Sequence, residues 1–155
     1  MKSLVLRSSF LIVFFIISGV SMAFGKTYIL CSPFSGTAIT TEGKPISGVE
    51  IERKWVWGWN GKSGVDRTTT DKQGKFYFPV VTSSSLTASF LPHEPDVSQQ
   101  ITAKTTEGNV EIWYASKKSY ELNSEMDGQP IKVLCYLDKK PSADGLYWGT
   151  CIKDN

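Results

Sequence analysis

Thr69-Thr70-Asp71-Lys72-Gln73-Gly74-Lys75-Phe76-Tyr77-Phe78 holds a tight turn followed by a short alternating run. Phe76 and Phe78 share one face and Lys75 and Tyr77 the other, the period-two pattern of a half-buried β-strand. Asp71 can accept a hydrogen bond from the backbone two residues on, and Gly74 can take a positive φ. The stretch predicts a hairpin joining a strand that ends at Thr70 to one that begins at Lys75. Upstream, Val49 and Ile51 face away from Glu50, Glu52 and Lys54, the same alternation in a longer strand.

Outward from these two elements, segments rich in Val, Ile, Thr and aromatics recur between Gly, Pro, Asn, Asp and Ser clusters, and no stretch sustains a helical apolar period. Strands are expected at 26–30, 35–40, 49–57, 65–70, 75–80, 98–103, 110–114, 129–137 and 147–152. Further turns fall at 42–45, 107–109 and 127–130. Residues 131–137 are apolar at nearly every position, which predicts a central strand covered on both faces. Residues 83–95 combine three serines with Pro92 and Pro95 and read as a surface excursion around a short irregular strand. The expected fold is all-β, an antiparallel sandwich of about seven to nine strands.

Residues 1–23 read as a secretory signal peptide. Lys2 and Arg7 charge its start, an apolar stretch follows, and Ser21-Met22-Ala23 offers small residues for cleavage. Cleavage after Gly25 fits nearly as well, and the apolar run is shorter than the ~20 residues a membrane span needs. Residues 24–155 then form one domain in the periplasm or outside the cell, without stable membrane insertion. The leader holds two of the 17 basic residues and no acid, so the remaining 15 balance the 15 acidic ones. A neutral surface gives no electrostatic case for nucleic acid or anionic membrane as partner.

Cys31, Cys135 and Cys151 would meet an oxidising compartment, where pairs close. Cys135 and Cys151 flank the turn-rich stretch 138–145, so their bridge closes the shortest loop and is the first choice. A bridge from Cys31 to either stays open on sequence grounds.

Gly36-Thr37-Ala38 and Gly43-Lys44-Pro45-Ile46-Ser47-Gly48-Val49-Glu50-Ile51, taken with the Thr69–Phe78 stretch, resemble the carboxypeptidase-regulatory-like, or transthyretin-like, β-sandwich. The likeness covers about the first half of residues 24–155 and implies a transthyretin-like or Ig-like fold, with almost nothing said of activity. Ile112-Trp113-Tyr114-Ala115-Ser116-Lys117-Lys118, Tyr120-Glu121-Leu122-Asn123-Ser124-Glu125 and Leu134-Cys135-Tyr136-Leu137 resemble an uncharacterised family of small exported bacterial proteins, which implies no catalytic residues. The Tyr-Arg-Gly-Ser end and the several histidines of transthyretin-like hydrolases are missing.

The only histidine, His93, stands in Leu91-Pro92-His93-Glu94-Pro95 without a recognisable nucleophile or base beside it, and an exposed loop histidine is expected. One histidine with three scattered cysteines makes a poor zinc set. Asp66, Asp71, Asp96 and Asp127 lie in different turns rather than in a calcium loop. Glu50 and Glu52 share a strand face, as paired glycosidase carboxylates would, yet alternation places them on the solvent side. No cofactor is expected, and the chain reads as a non-enzyme.

Trp55-Val56-Trp57-Gly58-Trp59-Asn60-Gly61-Lys62 places three tryptophans at alternate positions running into a turn. Trp55 shares its parity with Val49 and Ile51 and is expected to finish the core, with Trp57 of the same parity between it and the loop. Trp57, Trp59, Asn60 and Lys62 are the expected partner-binding residues. The leading function is a non-catalytic, exported protein-binding module of the bacterial envelope, in its sharpest form an immunity protein that caps a toxin delivered to the periplasm. The alternative is a carbohydrate-binding or cell-wall-binding module whose exposed tryptophans stack on sugar rings.

Overall fold

Alternating apolar side chains build two layers in the computed structural model, which describes residues 25–144 and 146–154. The expected signal peptide, residues 1–23, lies outside the described residues, as does Gly145. In chain order the strands are β1 (Lys26–Cys31), β2 (Phe34–Ile39), β3 (Glu50–Trp57), β4 (Lys62–Thr69), β5 (Lys75–Phe78) and β6 (Val81–Ser85). A one-turn helix α1 (Leu86–Phe90) precedes β7 (Val97–Thr105), β8 (Gly108–Ser116), β9 (Ile131–Tyr136), β10 (Ser142–Asp144), β11 (Tyr147–Gly149) and β12 (Cys151–Lys153).

The fold is an all-β sandwich. One layer is a six-stranded sheet in the order β10-β11-β8-β7-β3-β4; the other holds a four-stranded sheet, β12-β9-β2-β5, and the ribbon β1-β6. Pairing is antiparallel except between β2 and β9, which run parallel from Phe34↔Ile131 to Ile39↔Tyr136. The main core joins Phe34, Phe76 and Phe78 to Ile51, Ile101 and Trp113 across the sandwich. A second core packs Tyr28, Leu30 and Ala88 on Trp55, Trp57 and Val97, so the ribbon and α1 cover the far end of the six-stranded sheet.

Asp71–Gly74 turns the chain as expected, with Gly74 N–H donating to Asp71 O at 2.9 Å and Gly74 at φ +75°. The two strands it joins do not pair, however. β4 is an edge of the six-stranded sheet, whereas β5 pairs with β2 in the opposite layer. Paired with β4, the phenylalanines would extend a polar edge; across the sandwich, Phe76 stacks 6.0 Å from Phe34 and both Phe76 and Phe78 are buried.

Three further expectations change. Residues 147–152 hold two strands in different sheets, because β11 pairs with β8 and β12 with β9. β9 is internal to its sheet, but its outer face carries exposed Lys132 and half-buried Leu134 and Tyr136. The 83–95 stretch holds the end of β6 and α1, whose Ser85 Oγ accepts from Ala88 N–H.

Cys135 and Cys151 form the disulfide, directly opposed across β9 and β12, and Cys31 is the free, buried thiol. Among the described residues no helix is long and apolar enough to cross a membrane.

Candidate functional site

The β3–β4 loop, the connector after α1 and the loop before β9 meet at one end of the sandwich. Strand parity carries Trp57 inward, where it is fully buried, and its indole N–H donates to the Tyr120 hydroxyl at 2.9 Å. Tyr28 lies against both, its ring centroid 5.4 Å from Trp57 and 4.6 Å from Tyr120. Trp57 therefore leaves the set of expected contact residues: an indole buried on all sides supports the loop and cannot stack on a partner. Trp55, at 8 % exposure, is core as well.

Trp59, the next residue of that parity, is half-buried, and its ring sits 4.3 Å from His93. His93 is bonded at both nitrogens: Nδ1 lies 3.0 Å from Leu91 O and Nε2 2.9 Å from the Tyr120 hydroxyl. A carbonyl only accepts, so Nδ1 carries the proton and donates. With Nδ1 protonated, Nε2 of the uncharged tautomer is the acceptor for the Tyr120 O–H. The expected exposed loop histidine is instead a half-buried clamp between two loops. Burial, opposed by the Trp57 N–H, raises the Tyr120 hydroxyl above its ordinary pKa.

Asn60 is exposed, and its Oδ1 accepts from Lys62 N–H at 3.0 Å, which shapes the turn. Lys62 sends its ammonium to Ser83 Oγ at 2.8 Å and braces the loop against β6. Gly58 lies where the loop meets the connector, its N–H donating to Asp96 O at 2.7 Å. A Cβ there would sit 1.7 Å from Asp96 Oδ2. Of the four expected contact residues only Trp57 loses its surface: Asn60 and Lys62 are exposed and Trp59 is half-buried.

Tyr120 is itself held by a buried polar cluster. Glu125 and Lys117 pair at 2.9 Å with side chains 0 % and 1 % exposed. Glu125 also accepts from Ser32 N–H, Ser32 Oγ and Gln99 Nε2, and Lys117 donates to Glu121 O at 2.9 Å. These bonds fold 117–125 around Tyr120. Arg53, fully buried, lies beside the cluster: its Nη2 donates to Pro79 O and Asp66 Oδ2 at 2.8 and 2.6 Å. Cys31 is buried nearby and its thiol is pushed up to about 12.

The surface this framework presents is apolar. Leu86, Phe90 and Leu91 are 53 %, 79 % and 55 % exposed. Leu86 and Phe90 stand four residues apart on one side of α1, while Ala88 anchors the opposite side in the second core. Lys26 N–H donates to Ser89 Oγ at 2.8 Å and ties the helix to β1, while Leu91 N–H closes its last turn on Thr87 O at 3.0 Å. Sequence reasoning missed this patch. Its signal was three large apolar residues in a stretch otherwise rich in serine and proline.

Elsewhere, alternation puts Glu50 and Glu52 on the outer face of β3 as expected, but Glu52 is only 6 % exposed, covered by an ion-pair lattice with Arg67, Lys54 and Lys104. The Lys104 hydrogen bond, with those of Arg67 and Lys54, lowers the Glu52 carboxyl to about 2. Among the described residues no three His, Cys, Asp or Glu side chains converge as a metal-ligand set.

A family model described as Domain of unknown function (DUF6795) matches residues 34–140. No curated protein and no solved structure matches the chain.

Proposed function

We propose that the chain, which belongs to the DUF6795 family, is a non-catalytic protein-binding module of the bacterial envelope whose partner seats on Leu86, Phe90 and Leu91, with Trp59 at the rim. The observation that carries this reading is the 79 % exposure of Phe90 on a helix that buried Ala88 and the Lys26–Ser89 hydrogen bond hold against the second core and β1. Large exposed apolar side chains on a rigid support mark contact surfaces, and a protein partner that buries one gains about 1.5–3 kcal/mol from it. His93, with both nitrogens bonded, and Cys31, with a buried thiol, favour a scaffold over chemistry.

The finer parts of the reading rest on the sequence. The leader-like residues 1–23 and the Cys135–Cys151 disulfide support export to the periplasm or beyond. The Gly36–Ile51 and Thr69–Phe78 motifs support a transthyretin-like sandwich. A toxin aimed at the periplasm remains the sharpest partner, because a cap needs surface and no catalytic group. The glycan-binding alternative loses two of its three tryptophans, since Trp55 and Trp57 are buried.

The test is site-directed photo-crosslinking in cells, with a benzophenone amino acid at Phe90 and, as control, at Lys72 on the remote turn. One discrete protein adduct is expected at Phe90 and none at Lys72. Phe90→Ser with Leu91→Ser should lower recovery of that protein at least ~10-fold without moving the melting temperature. The absence of an adduct, or equal recovery by the double variant, removes the reading.

A further inference from the structure

On the outer face of the four-stranded sheet, the register sets Ser35 of β2 between Tyr77 of β5 and Lys132 of β9. Thr37, two residues on, has Lys75 of β5 as its neighbour. Thr68 and Thr69, at the end of β4, wall an open cleft of about 460 Å³ over these residues. That volume falls within the roughly 300–1,000 Å³ of small-ligand sites. The cleft exists because the β4–β5 turn carries the chain from one layer to the other, leaving the β4 edge standing beside β2 and β5.

The cleft has two further properties. Lys54, Lys104, Lys117 and Lys118 are all paired with carboxylates, whereas Lys75 and Lys132 have no ion-pair partner among the described residues. Strand spacing and the two-residue offset put their Cα atoms about 12 Å apart, so two flexible ammonium groups can close on a ligand from either side. Ser35 and Thr37 lie on the strand between them, Thr68 adds a hydroxyl from the wall, and the Tyr77 ring, 53 % exposed, offers a flat apolar face. Asp71 and Asp154 line the cleft as well. Asp71 Oδ1 already accepts from Gln73 and Lys75 N–H, each at 2.9 Å.

Two unpaired cations, several hydroxyls and one exposed ring suit a ligand that is anionic, rich in hydroxyls and partly flat. We propose that this cleft binds a sugar unit bearing an acid group, a carboxylate or a phosphate, with Lys75 and Lys132 on the acid and Tyr77 under the ring. The site is separate from the Phe90 surface: β4 carries the Trp59 loop at its Lys62 end and the cleft at its Thr69 end, roughly 20 Å apart. It stands or falls independently of the proposed protein partner.

The experiment is a titration of the ¹⁵N-labelled protein, followed by the amide shifts of Ser35, Thr37 and Tyr77, with glucuronate, glucose 6-phosphate and glucose. Saturable shifts are expected for at least one acid-bearing sugar, with Kd in the ~1 mM range, and at least ~10-fold weaker ones for glucose. Which acid saturates first tells carboxylate from phosphate. Lys75→Gln with Lys132→Gln should weaken the tighter ligand ~10-fold or more. Salt at ~0.3 M should weaken it in the unaltered protein too, which guards against a variant that misfolds. The proposal is overturned if no cleft amide shifts saturably, if glucose binds as well as the acids, or if neither salt nor the double variant changes affinity.

Discussion

Replacing Lys117 by methionine isolates one term of the stability. The substitution keeps the aliphatic stem and removes an ammonium that bonds Glu125 Oε2 at 2.9 Å, Ser32 Oγ at 3.2 Å and Glu121 O at 2.9 Å. What remains is a carboxylate with no exposed surface, still bonded to Ser32 and Gln99 but without a countercharge. Removing one partner of a buried pair costs about 3–5 kcal/mol, mostly through the charge left behind. A domain of this size holds about 5–15 kcal/mol in all, so the loss approaches half of it. Urea denaturation followed by tryptophan fluorescence should show the midpoint falling at unchanged slope. Glu125→Gln alone should cost a similar amount. The double variant should cost less than the two together by at least ~2 kcal/mol, because a neutral amide facing a methionine leaves no charge stranded. A single-variant cost below ~1 kcal/mol, or simple additivity, would show that the pair is solvated in solution.

Other outcomes follow from the same chemistry. Cys135→Ser with Cys151→Ser removes a cross-link between residues 16 apart, which should cost about 3 kcal/mol by loop entropy; unchanged melting on reduction would contradict it. Cys31, with its thiol pushed up to about 12, should resist Ellman's reagent at pH 8 and react as one thiol only in denaturant; fast labelling of the native protein would refute the burial. Because the Glu52 carboxyl is held at about 2, below its unfolded value, its contribution is complete at neutral pH and fades as pH falls from about 4.5 towards 2. Glu52→Gln should flatten that part of the curve of melting temperature against pH, and an acid limb like that of the wild type would exclude the lattice as its cause.

Legibility divides along physical lines. β3 could be read because Ile51 and Trp55 share a parity, and the disulfide because Cys135 and Cys151 close the shortest loop. The partner of β5 could not: Asp71 and Gly74 turn the chain through the same local bonds whether the next strand returns beside β4 or crosses to the other layer. The decision lies with Phe34, distant in sequence, which offers Phe76 a buried stack. At the candidate site, alternation brought Trp57 to the right end of the sheet but could not say that Tyr28 and Tyr120 would cover it. The burial of Lys117 and Glu125 had no local signal, since nothing beside either residue in the sequence announces it. Phe90 was lost among serines and prolines because one turn of helix is too short to show a period.

The parallel pairing of β2 with β9 has a consequence for how the chain comes to be folded. Residue partners such as Phe34 and Ile131 stand about a hundred positions apart, and β9 lies between β2 and β12 in its sheet. During synthesis from the amino end, β2 has β5 on one side and nothing on the other until residues 131–136 have left the ribosome. Such late, long-range closure makes folding slow, so the nascent chain spends its early life open, in a state that a chaperone can still grasp.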